Sequence, residues 1–123
     1  MTNEATKRSR ASIDDVPIDV ETVSYGLDLA LSMRLSTSTR EDIDSRTTEV
    51  IGYMRMLLAE DLGADKNPKT MALFRACYYL LDLTRRPTPR TPAYDAFQFL
   101  RDVANRTRSL LLIYMQRNGV SLS

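Results

Sequence analysis

The sequence contains no histidine, no tryptophan, a single cysteine (Cys77) and only four glycines. Without histidine it has no side chain whose ordinary pKa lies near neutrality for acid–base work or metal ligation. A helical di-iron centre built on Glu-x-x-His pairs is excluded for the same reason. One cysteine cannot close an internal disulfide, and with no imidazole beside it the thiol is a poor catalytic nucleophile. Its apolar neighbours point to a buried, inert group. Four scattered glycines do not build a phosphate-cradling loop. No unbroken apolar run exceeds six residues, the length of Leu110 to Met115, far short of the ~20 that span a bilayer. The polar N-terminus has no apolar stretch of the kind that opens a secretory signal, so a cytoplasmic protein without a membrane partner is expected. Glu41, Asp42 and Asp44 are close together but read as helix-start residues and not as a metal site. These absences favour a protein that is not an enzyme and carries no cofactor.

What is present is unevenly distributed. Net charge is +1, yet residues 11–65 hold twelve acidic and four basic side chains, while residues 66–123 hold three acidic and ten basic. Either an acidic pair of helices packs on a basic pair, or a basic face meets an anionic partner. Fourteen of the seventeen basic residues are arginine, a bias that a GC-rich genome also produces.

Helix punctuation recurs four times, which predicts an all-α fold. Its form is a four-helix bundle over residues 18–119 behind a disordered or loosely docked tail, residues 1–17. Ile18 before Asp19, with Val23 four residues on, has the pattern of an N-cap with a hydrophobic staple. Ser38 with Glu41 reads as a capping box. Asn67-Pro68 pairs a cap with proline at the first helical position, and Thr91-Pro92 repeats the arrangement. Gly63 and Gly119 sit where left-handed C-caps belong. The expected helices cover about 19–35, 39–62, 68–84 and 92–118. Apolar residues at helical spacing mark their inner faces: Val20, Val23, Leu27 and Ala30; Ile43, Val50, Met54 and Leu57; Phe97, Leu100, Leu111 and Tyr114. Gly26 inside the first helix suggests a close approach by another element. No alternation of the strand kind persists.

The third and fourth helices are wider in apolar coverage than a bundle requires, since six successive apolar residues go right round a helix. Either these two helices are central to the core, or the surplus is an interface with a second copy or another protein, or it lines a small cavity. The interface reading points to Tyr79, Phe99, Leu112, Ile113 and Met115, and a charge at Leu112 or Ile113 would then change the oligomeric state. A polar stripe on the third helix, Arg75 with Asp82 and with Arg86 beyond, could hold a carboxylate or phosphate or be a solvated edge. Arg75, Arg85, Arg86 and Arg90 are the candidate anion contacts. With Arg101, Arg106, Arg108 and Arg117 they allow an alternative, a nucleic-acid-associated regulator. The segment Arg85 to Pro92, with three prolines, is a stiff connector or a polyproline-like recognition strip.

The stretches Ala59-Glu60-Asp61-Leu62-Gly63-Ala64-Asp65, Tyr79-Leu80-Leu81-Asp82-Leu83 with Arg86-Pro87, and Phe97 to Gln116 resemble small helical proteins of unknown function from Streptomyces and related actinobacteria. Some of those are labelled as accessory to natural-product gene clusters. The resemblance implies a bacterial cytosolic accessory or regulatory factor and carries no catalytic residues.

Overall fold

The computed structural model describes residues 17–122, so all but the last residue of the expected tail lies outside the described residues. Four α-helices follow in order: α1 (Val20–Ser32), α2 (Arg40–Leu58), α3 (Pro68–Leu81) and α4 (Ala93–Asn118), with no strand among the described residues. Single 3₁₀ turns, Leu35–Thr37, Ala64–Lys66 and Leu83–Arg85, lie in the three connections. The fold is all-α, as the sequence predicts.

Local chemistry explains where each helix begins. Asp19 accepts the Thr22 amide at 3.1 Å and the Thr22 hydroxyl at 2.7 Å, and these bonds hold its carboxyl below the usual range. Ile18 and Val23 are both buried beside it, closing the staple, and the Ile18 amide donates to the Tyr114 hydroxyl on α4. Asn67 accepts from the amides of Lys69 and Thr70, with Pro68 at the first helical position. At α2 the register differs from expectation by one residue. Thr39 and Asp42 form the capping box, each taking the other's backbone amide at 3.0 Å. Ser38 instead closes the preceding 3₁₀ turn through its amide, which takes that amide from the reciprocal bond a capping box requires. Thr39→Ala is therefore expected to lower stability by about 1 kcal/mol, and Ser38→Ala by less than half of that. Thermal melts of the two variants decide which residue is the cap.

The other differences also have local causes. α2 ends at Leu58, short of the expected 62; the chain then turns so that Leu62 is buried and Gly63 takes φ 77°. α3 ends at Leu81 because the Asp82 carboxylate captures the amide and hydroxyl of Thr84, a side-chain turn that competes with helix. These bonds lower the Asp82 pKa. At α4 the cap position belongs to Pro92, with no side-chain bond, while the Thr91 hydroxyl takes the amide of Thr88 within the connector. Gly119, at φ 63°, ends α4 as expected.

α4 is the central element and packs against all three other helices, most extensively against α2. Its side chains at Phe97, Leu100, Val103, Ala104, Leu110 and Leu111 meet Leu27, Ile43, Val50, Met54 and Leu57 in one core cluster. The close approach at Gly26 is made by the ring of Tyr53 on α2: a methyl group there would lie 2.7 Å from it. α3 is different. Only Thr70 and Cys77 of its 14 residues are buried. The sequence offered a central pair of apolar helices as one solution; α4 is central and α3 is peripheral.

Candidate interaction surface

An apolar helix at the periphery leaves its aromatic side chains in water. Tyr78 and Tyr79 are 56% and 55% exposed, and Leu83, just past the end of α3, is 74% exposed. Phe74 stacks edge-on against Tyr78, with ring centres 6.4 Å apart. Arg85 lies over the ring of Tyr79, 3.8 Å from its centre, a cation–π contact that holds both side chains at the surface. Between α3 and the C-terminal half of α2 runs an open hollow of about 320 Å³, lined by Arg55, Leu58, Ala59, Tyr78 and Leu81. A second, of about 230 Å³, is lined by Asp44, Thr47, Thr48, Arg86 and Pro87. Thr48 and Arg55 are seven residues apart, two turns along one face of α2, so the two hollows follow the same flank.

The five interface candidates do not form one patch. Leu112 is 58% exposed, but Ile113 leaves α4 about 100° away from it and is partly buried against the core. Ile113 lines a different hollow together with Thr70 of α3. Phe99 and Met115 are likewise partly buried against the core. Tyr79 lines a further hollow on the α4 side of α3, with Asp102 and Arg106. Leu83 and Arg55, which complete the exposed surface with Tyr78, were not among the candidates; only the peripheral position of α3 leaves Leu83 in water. Their signal in the sequence was the near absence of polar positions in α3.

The arginines divide into two groups. Arg101 donates to the Leu31 carbonyl at 3.4 Å, Arg108 pairs with Asp28, and Arg117 donates to the Asp61 carbonyl at 3.1 Å. These three tie α4 to α1 and to the loop after α2, so the charge halves meet in part along that seam. Arg40, from the acidic half, reaches the connector: its guanidinium donates to the carbonyls of Thr91 and Thr88 at 2.5 and 2.8 Å and to Asp44 at 2.9 Å. Nothing in the sequence pattern singled it out, because its partners lie some 50 residues away. Arg75, Arg85, Arg86 and Arg90 form no ion pair among the described residues. Asp82 does not pair with Arg75; it accepts from Thr84.

A polar hollow of about 490 Å³ at the corner after α2 includes Asp61, Lys66, Asn67, Thr70 and Arg117. Arg117 faces Asp61 there, and the Asn67 side chain already satisfies the first amides of α3. No cluster of three or more residues suited to a metal ion occurs among the described residues. No helix among them is long and apolar enough to cross a membrane.

Cys77 is fully buried, and burial pushes its thiol up to about 11, against a lowering by Arg106. The fold thus favours the neutral thiol. Its contribution to stability is whole below the unfolded value near 9 and is lost as pH rises through about 11. A pH series of denaturant melts is expected to show this alkaline loss in the parent chain and less of it in Cys77→Ala. The parent thiol should also resist alkylation at neutral pH until the protein unfolds.

No protein-family model, no curated protein and no solved structure matches this chain.

Proposed function

We propose that the chain is a non-enzymatic protein-interaction module, an accessory or regulatory factor of the cytoplasm, whose contact helix is α3. The observation that carries this is the peripheral apolar helix, with Tyr78, Tyr79 and Leu83 each more than half exposed. Exposed aromatic surface of this kind is characteristic of interaction sites, where tyrosine anchors supply much of the binding free energy. A contact helix of this kind serves a second copy or another polypeptide, with the exposed Leu112 of α4 as a separate point. A nucleic-acid role through Arg85 and Arg90 has less support, because three of the four helix-four arginines bind within the chain.

A triple substitution, Tyr78→Ser with Tyr79→Ser and Leu83→Ser, tests the reading. Side chains kept for a partner contribute little to the isolated fold, so stability should change by less than about 1 kcal/mol. Binding of a fluorescent dye that reports exposed apolar surface should fall. A large loss of stability would show that this face serves the fold, and the reading would fail.

A further inference from the structure

Resting on α3 as the contact helix, we infer that the groove between α2 and α3 receives an acidic amphipathic helix of a different polypeptide. The floor of the groove is apolar, formed by Leu58, Ala59, Tyr78 and Leu81. Such a floor suits leucine-sized anchors spaced along one face of a helix. Its edges are basic. Arg55 lines the groove from α2, Arg75 stands one turn before Tyr78 and Tyr79 on α3, and Arg86 lines the separate hollow farther along the same flank of α2. None of these three arginines forms an ion pair among the described residues. Of the carboxylates on this flank, Asp44 is paired with Arg40, while Asp82 accepts from Thr84 and keeps its negative charge.

The whole stretch 66–92 carries six basic residues and one acidic residue. That balance selects among occupants. A symmetric contact between two copies through this groove would bring the predominantly basic stretch 66–92 of one copy against the same stretch of the other. Like charges facing each other oppose that contact. An acidic helix gains from the same rim, in register with the apolar floor. Guanidinium groups bind carboxylates through paired donors, so glutamates flanking the leucines match the rim chemically as well as in sign.

The test uses the full chain and two fluorescent synthetic helices, one with leucine on one face and glutamate on the other, and one with every glutamate replaced by glutamine. By anisotropy at low salt, the glutamate probe is expected to bind about ten-fold tighter than the glutamine probe, the effect of a few rim charges. Arg75→Glu with Arg86→Glu should erase that preference while leaving leucine-dependent binding. Tyr78→Ser should weaken both probes. Equal affinity for the two probes overturns the acidic partner and leaves α3 as a contact helix. Binding of neither probe overturns both. A salt-insensitive dimer that excludes the probes assigns the groove to a second copy and overturns the inference. Tighter binding of a DNA duplex, falling steeply with salt, overturns it in favour of nucleic acid.

Discussion

Replacing Leu100 by alanine should lower stability by about 3 kcal/mol, within the roughly 2–5 kcal/mol range for buried leucines. Leu100 has no exposed surface and belongs to α4, the helix on which α1, α2 and α3 all pack. A cavity at that point removes contacts from the shared core, and neighbours held on several sides cannot collapse to fill it. For a domain of this size the melting temperature should drop by roughly 15 °C. Leu112→Ala is the internal control: the same side chain, on the same helix, 58% exposed. It should alter stability by no more than about 0.5 kcal/mol. If the two variants lost equal stability, the rotation of α4 about its axis would be other than described.

Gly63→Ala should lower stability by about 2 kcal/mol, mostly through the backbone and to a smaller extent through displacement of a flexible side chain. At φ 77° a side chain meets the following carbonyl, which is worth roughly 1–2 kcal/mol against any residue with a Cβ. The added methyl would also lie 2.6 Å from a terminal guanidinium nitrogen of Arg117, displacing the side chain that holds the Asp61 carbonyl. Gly119→Ala separates the two. Gly119 has φ 63° and nothing within 4 Å of the added atom, so it carries backbone strain alone. Denaturant melts should show the larger loss for Gly63→Ala. Equal losses would mean that Arg117 moves aside without consequence.

Helix starts were legible where the signal lies within four residues of chain. Asp19 with Thr22, and Asn67 with Lys69 and Thr70, make the bonds that their spacing implies. Competing local signals were harder. Ser38 and Thr39 each precede an acidic residue at capping distance, and only the 3₁₀ turn before them decided between the two. Asp82 read as a member of a stripe on α3, but its own turn with Thr84 ends the helix there. Of the candidate surface, Tyr79 was legible as an aromatic anchor and Arg75, Arg85 and Arg86 as candidate anion contacts. The groove itself was not, since Arg55, Leu58 and Ala59 meet Tyr78 and Leu81 only in three dimensions.

The amino-acid sequence by itself determined the all-α class, the number of helices and most of their first turns, because caps, proline positions and apolar periodicity act through neighbouring backbone groups. Only the tertiary structure decided which apolar helix is central. Periodicity describes the face a helix presents and says nothing about whether another helix covers it. α3 and α4 carry comparable apolar runs, yet α4 is enclosed by its three neighbours while the outer aromatic face of α3 remains in water. The same holds for the arginines: Arg40, Arg101, Arg108 and Arg117 differ from Arg75 and Arg86 in which distant partners the packing brings within reach.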